Sequence, residues 1–301
     1  MREWCKRLKI QNSSEVLTTW NKILESKDTL MQIEALEQLF FACGDYQSVQ
    51  NGIGLFSEGF YPYDTVYAPL KAISKELMID IPLFMETVFI KFAQHTLTLY
   101  EQNHIPEVFF DSTMSDFALW IDDCYAKDGK YGLCEYMWLA NHLRLNLFRL
   151  GRMQYQYTVY DDKEVTLGGK TIQRGDFLLK LHVPKGAPIP TDIRMDSYQK
   201  AFDFFGIRPL FILCDSWLLF PKHQQILKDT SNIRSFLNDF YTIRKEENMD
   251  YRNLMRVFND NQRRNTSLQI AYQNRIQNKE TVGSAVGIFL FDGEKCINGK
   301  D

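Results

Sequence analysis

"RMQYQYTVY", residues 152–160, is where the hydrophobic pattern of this 301-residue chain changes its period. Met153, Tyr155, Tyr157 and Val159 alternate with Arg152, Gln154, Gln156 and Thr158. Strict alternation puts the two sets on opposite faces of an extended strand, one half-buried and one polar. Upstream, apolar residues recur with the helical period instead. The change predicts an α+β chain: an all-helical N-terminal domain over residues 1–148, then a mixed β-sheet domain with flanking helices over residues 149–301.

The upstream half reads as successive capped helices. In "SSEVLTTWNKILESK", Ser13 or Ser14 is the cap, and Val16, Trp20 and Ile23 or Leu24 form the stripe. "DTLMQIEALEQLFFACG" repeats the pattern from Asp28, with Gly44 as its stop. Pro62, Pro82 and Pro106 divide the remainder of this half into further helices. The last run, "YGLCEYMWLANHLRLNLFRLG", keeps Leu133, Met137 or Trp138, and Leu145 roughly in phase, and so predicts one helix up to Gly151.

Downstream, "VTLGGKTI" reads as a hairpin turning at Gly168-Gly169, which sets Val165 opposite Ile172 and Leu167 opposite Lys170. "DFLLKLHVP" is a strand with Phe177, Leu179, Leu181 and Val183 on one face and Lys180 and His182 on the other. The loop "PKGAPIPTD" leads into an amphipathic helix, "IRMDSYQKAFDFFG". Next, "FILCDSWLLFP" reads as a strand buried on both faces, which sets a question, because a buried carboxylate at Asp215 is costly unless paired. Short helices at "PKHQQIL" and "SNIRSFLNDF", a clearer one at "NTSLQIAYQNRIQN" and a closing strand, "AVGIFLFDG", complete the domain.

Composition narrows the function. With a net charge of −3 and scattered Lys and Arg, the chain has no basic stripe and is not expected to bind nucleic acid. The opening "MREWCKRLKI" is not a secretory signal, and no apolar run approaches the roughly 20 residues of a membrane span. The six cysteines, Cys5, Cys43, Cys124, Cys134, Cys214 and Cys296, form no CxxC pair, and the five histidines have no metal-ligand spacing. A reduced, cytoplasmic protein without a metal, acting on a small molecule, is the expectation.

Candidate chemistry gathers in the second domain. Ser216 lacks the glycines of a nucleophile elbow. Cys214 reads either as a thiol nucleophile served by His182 or as a small apolar filler. His182 is a candidate general base or a structural histidine. Arg152 and Gln154 share a polar face, suited to a carboxylate or phosphate or to an ion pair. Tyr272 is a candidate general acid or a core aromatic.

The successive blocks "LHVPKGAPI", "SYQKAFDFF", "CDSWLLFP", "SNIRSFLNDF" and "VGIFLFDG" resemble the GNAT-like C-terminal domain of bacterial acyltransferase-domain proteins. Upstream, "DSTMSDFALWIDDCYAKDGKYGL", "WLANHL" and "FRLGRMQYQ" resemble the helical N-acyltransferase domain that precedes it in that family. The resemblance implies an acyl-CoA lying where "FLLKLHV" and "FILCDSWLL" splay apart. Val183, Lys185, Gly186 and Ala187 would then meet the CoA. It implies His182 or Asp215 as base, Tyr272 as acid, and Arg152, Gln154, Ser216 and Asn232 as substrate contacts. Residues 184–192 depart from the usual Arg/Gln-x-x-Gly-x-Gly/Ala loop. A second class therefore stands beside the enzyme: a catalytically inactive, GNAT-shaped ligand-binding or regulatory module.

Overall fold

The computed structural model describes residues 1–42, 63–225, 227–247, 270, 274–275, 277–278 and 280–299. Cys43, the stop at Gly44, Pro62, Tyr272 and most of "NTSLQIAYQNRIQN" lie outside the described residues. The chain divides into two compact units, Met1–Phe148 and Arg149–Asp301.

The first unit is helical: α1 (Arg2–Arg7), α2 (Ser13–Leu24), α3 (Lys27–Ala42), α4 (Ala68–Glu76), α5 (Ile81–Gln102), α6 (Glu107–Met114), α7 (Asp116–Asp128) and α8 (Tyr136–Leu143). Helix α5 starts with Pro82 in its first turn, where the missing N–H costs nothing. Phe84, Met85, Val88, Phe89, Ile90 and Phe92 cover it nearly all round, and all are buried, which makes it the centre of the unit. The rings of Phe40, Phe89 and Phe92 pack 5.1–5.8 Å apart in the core. No helix among the described residues is long and apolar enough to cross a membrane.

Two expectations are corrected in this unit. The helix predicted up to Gly151 stops at Leu143, and the chain becomes extended as β1 (Leu147–Leu150). Leu145 has φ +57°, a left-handed backbone that no right-handed helix can contain, so its fit to the apolar stripe was coincidental. The expectation of fully reduced cysteines also fails, because Cys124 and Cys134 form a disulfide. Cys124 sits in the last turns of α7, and Gly129, in the left-handed conformation at that helix's end, lets the chain fold back to Cys134. The donor atoms of Cys124, Asp128 and Cys134 lie within 4.8 Å of one another, with two of the three taken up by the S–S bond.

The second unit is built on a sheet in the order β1-β2-β5-β6-β8-β7, with β9 also on β8. The strands are β2 (Met153–Val159), β5 (Phe177–His182), β6 (Leu210–Ser216), β7 (Tyr241–Glu246), β8 (Ser284–Phe291) and β9 (Cys296–Ile297). The hairpin β3 (Val165–Leu167) and β4 (Lys170–Ile172) has the expected register but forms a sheet of its own. It packs Val165, Leu167 and Ile172 with Leu178, Phe211, Val286 and Ile288, closing one face of the main sheet. Helix α9 (Thr191–Phe205) covers the opposite face, with the Tyr198 ring 4.9 Å from that of Phe289.

Candidate active site

The site follows from the register of two neighbouring strands. β5 and β6 run parallel, but their ladder holds only two pairs, Leu179↔Ile212 and Lys180↔Leu213. Both strands continue: β5 to His182 and β6 to Ser216. Their outer ladders do not stop with them. β5 stays paired with β2 as far as His182↔Gln154, and β6 with β8 as far as Ser216↔Ala285. Two strands held firmly on their outer sides therefore part on their inner sides. Beyond Lys180 and Leu213 the facing backbone groups are not engaged in that ladder, although they are strong hydrogen-bonding groups.

The faces sort the candidates. Gln154 lies opposite His182 and Gln156 opposite Lys180, so these four residues share one face. The pairing Lys180↔Leu213 puts Asp215, two residues on, on that face too. Cys214 falls on the other face, so it cannot pair with His182 across the sheet. Its thiol is buried, and burial first, then the Asp215 charge, push it far above the ordinary thiol range. Cys214 is the apolar filler.

Asp215 answers the question set by its apolar surroundings. It is exposed, so no carboxylate is buried here: only the first part of β6 is enclosed on both faces. Ser216 caps the short 3₁₀ turn Trp217–Leu219, its Oγ accepting the Leu218 N–H at 3.2 Å. The hydroxyl thus stops the strand and turns the chain. Asn232 is exposed at the first position of α10 (Asn232–Leu237).

His182 is half-buried at the end of β5, its Nε2 3.1 Å from Oε1 of Gln156. Gln154, on the polar face of β2, is almost wholly buried. Arg152 turns to the loop after β5. Its Nε donates to the carbonyl of Ala187 and its Nη2 to that of Pro184, both at 2.8 Å. The base of this arginine is fixed by Ser197 on α9, whose Oγ accepts the Met153 N–H at 3.1 Å and donates to the Leu150 carbonyl. Gly151 (φ +69°) makes that approach possible, since a Cβ there would meet Ser197 at 3.3 Å.

The loop itself exposes Lys185, Gly186 and Ala187, with Gly186 at φ +135°. It delivers the chain to α9, whose first turn is anchored from below. Buried Arg194 donates to Asp239 through Nε at 2.5 Å and Nη2 at 3.1 Å, and Nη2 also reaches Ser235 Oγ at 2.8 Å. Tyr198 Oη donates to the same carboxylate at 3.0 Å. A bidentate arginine–carboxylate pair of this kind fixes both position and orientation.

Sequence reasoning missed Gln156 and the Arg194–Asp239 pair. Gln156 had a visible signal, since it stands on the polar face of β2 as Gln154 does. Arg194 had none: one charged residue in an amphipathic helix reads as solvated.

A mixed sheet whose central parallel strands part at one end, with a helix entered just beyond the gap, defines a GNAT-like fold. Residues 147–289 match the family model described as GNAT-like C-terminal domain, and residues 1–145 match the one described as N-acyltransferase N-terminal domain. The chain is thus an N-acyltransferase N-terminal domain followed by a GNAT-like C-terminal domain. Among solved structures, it is similar to an acyltransferase in complex with decanoyl-CoA and teicoplanin, at 19% identity and a TM-score of 0.70, covering 96% of this chain and 87% of that one. An acyltransferase mutant in complex with octanoyl-CoA matches at 19% identity and a TM-score of 0.69, covering 95% and 86%. Likeness at this identity establishes the fold. No curated protein sequence matches the chain.

Proposed function

We propose that this protein transfers an acyl group from acyl-CoA to an amine or similar nucleophile on a small molecule. The observation that carries the proposal is the gap between β5 and β6, held open by intact ladders on both outer sides. The neighbours of this fold hold decanoyl-CoA and octanoyl-CoA, which supports reading the gap as an acyl-CoA cleft.

The residues present fit such a ligand. Backbone groups outside the ladder along the parted strands suit the amides of a pantetheine arm, much as an added strand would. The exposed loop residues Lys185, Gly186 and Ala187, with Val183 before them, would take the nucleotide end. Arg152, expected to contact substrate, holds this loop by its carbonyls and so shapes it from behind.

Acyl-CoA, when bound, supplies a thioester carbonyl as electrophile. His182, or Asp215 on the same face, takes the proton from the attacking neutral amine as the N–C bond forms. Tyr272, outside the described residues, is the proposed acid for the departing thiolate. Gln154, Ser216 and Asn232 line the acceptor side in this reading.

Calorimetric titration of acetyl-CoA and longer acyl-CoAs into the protein is the test. One site of micromolar affinity is the expected result. No heat at millimolar ligand would overturn the proposal in favour of the non-catalytic module, for which the prolines at 184, 188 and 190 speak, since each removes a backbone N–H from the loop.

A further inference from the structure

We infer that Lys180 selects the acceptor by holding a carboxylate close to the amine that is acylated, which makes the acceptor an amino acid. The inference rests on the acyl-transfer reading above and names the substrate class of that site. Lys180 is the last residue of β5 in the ladder with β6, opposite Leu213, so it stands where the two strands begin to part. It is half-buried on a central strand, with β2 and β6 on either side. An ammonium drawn partly out of water is costly unless it is paired. The other half-buried lysines among the described residues all have partners. Lys22 donates to the Leu77 carbonyl, and Lys71 lies over the Tyr136 ring, 5.5 Å from its centre. Lys91 lies 3.2 Å from Glu37 Oε2 and Lys222 3.6 Å from Glu247 Oε1. Lys180 has no hydrogen bond, ion pair or ring contact among the described residues.

Asp215 decides which anion Lys180 takes. It lies two residues beyond Leu213 on the same face, about 7 Å further along β6. It is exposed, and it too has no hydrogen bond or ion pair among the described residues. The parted strands therefore present one cation and one anion that do not pair with each other. A dianionic phosphate on the acceptor would be drawn to Lys180 and repelled by Asp215. A small molecule with a carboxylate and an ammonium matches both. Arg152, the other cation suited to a carboxylate, is already engaged with the carbonyls of Ala187 and Pro184. In the reaction the ammonium first gives one proton to solvent. The neutral nitrogen then bonds to the thioester carbon and passes a proton to the base. The C–S bond breaks, and the thiolate leaves with a proton from the acid. In the N-acyl amino acid so formed the nitrogen is a neutral amide, which Asp215 no longer attracts.

The experiment follows CoA release from acetyl-CoA and octanoyl-CoA by the intact protein, with the common amino acids and 4-aminobutyrate as acceptors, each beside its carboxamide. The carboxamide keeps the amine and removes the negative charge, and rates are referred to the free-amine fraction of each compound. The acids should be preferred in kcat/KM by about 10- to 100-fold, mostly through KM, as expected for one charge-assisted hydrogen bond. Lys180→Met should bring that ratio close to one, and Lys180→Arg, which keeps the charge, should retain most of it. Equal use of acids and carboxamides by the intact protein would overturn the inference while acyl transfer stands, and that comparison needs no variant to fold. A preference that survives in Lys180→Met would overturn it as well, as would a preference for phosphoethanolamine over every amino acid. Acyl-CoA binding without acylation of any amino acid overturns this inference alone, whereas absence of acyl-CoA binding removes the reading beneath it.

Discussion

The two units bury ionisable groups in opposite ways. The helical unit encloses Glu86 on α5 beside the Asn12 amide, which donates to Oε2 at 3.0 Å, while Oε1 has no hydrogen-bond partner among the described residues. Desolvation raises its pKa from 4.5 to about 8, with the Asn12 hydrogen bond opposing and the Glu15 charge adding to the rise. The sheet unit encloses Arg194 against a carboxylate and a hydroxyl, and it encloses His223 with its Nε2 donating to the Trp217 carbonyl at 2.8 Å. Burial lowers the His223 pKa from 6.5 to about 4. Burying a group costs least in its neutral form or with a well-oriented counter-charge, and the two units use different members of that short menu.

The largest effect expected from this contrast is at Glu86. Its folded pKa is raised, so the folded state holds a proton that the unfolded state has lost between pH 4.5 and about 8. The associated stability is fully present below pH 4.5 and is lost as pH rises through 8. Across the whole window the shift corresponds to about 5 kcal/mol. Glu86→Gln should flatten the pH dependence of hydrogen exchange in α5 and slow that exchange at pH 8. An unchanged slope would mean that Glu86 is ionised in the folded helical unit.

Next comes the paired charge of the other unit. Arg194→Met leaves Asp239 largely enclosed without its counter-charge, a kind of change that commonly costs about 3–5 kcal/mol. Because α9 is entered from the loop of the proposed acyl-CoA site, this variant should also weaken acyl-CoA binding, whereas Glu86→Gln should leave it alone. Loss of binding in both variants would break the separation between the units.

His223 supplies a somewhat smaller term of opposite sign to Glu86. Its folded pKa is depressed, so the unfolded state binds the extra proton, and stability is lost as pH falls from 6.5 through about 4. The shift corresponds to about 3 kcal/mol when complete. Between pH 4.5 and 6.5, exchange in β8 should therefore quicken on acidification while exchange in α5 slows. Parallel slopes would show that one group governs both.

How much of this was legible beforehand depended on whether the signal was local. The hairpin register could be read from Gly168-Gly169 and equal spacing, since turn type fixes pairing. β7 could not: "YTIRKE" buries only Ile243 on an edge strand and reads as a polar segment. The end of α8 was hidden because the apolar period carried across Leu145 by chance. In the site, the parting of β5 and β6 was legible only through the family resemblance, because no periodicity tells where a parallel ladder ends. The separation of Cys214 from His182 needed the parity of each residue along its strand, but also the register between strands, and that is a three-dimensional fact. Gln156 was hidden for the same reason: a diagonal contact depends on which residues lie opposite.

The cysteines give the smallest and cleanest comparison. In the helical unit Cys124 and Cys134 close a short loop, separated by 10 positions in sequence. In the sheet unit Cys214 and Cys296 are free, and burial raises both thiols far above the range in which thiolates form. A thiolate is the species that attacks a disulfide, so neither can exchange readily. A loop of this size is expected to contribute about 2–3 kcal/mol by restricting the unfolded chain. Reductant, or Cys124→Ser, should therefore lower the stability of the helical unit by that amount and leave exchange in β6 and β8 unchanged. Thiol counting in denaturant, with and without reductant, checks that the difference comes from this one bond. An equal loss in β8 would show that the two units unfold as one, and the opposite pH slopes set by Glu86 and His223 would then be averaged away.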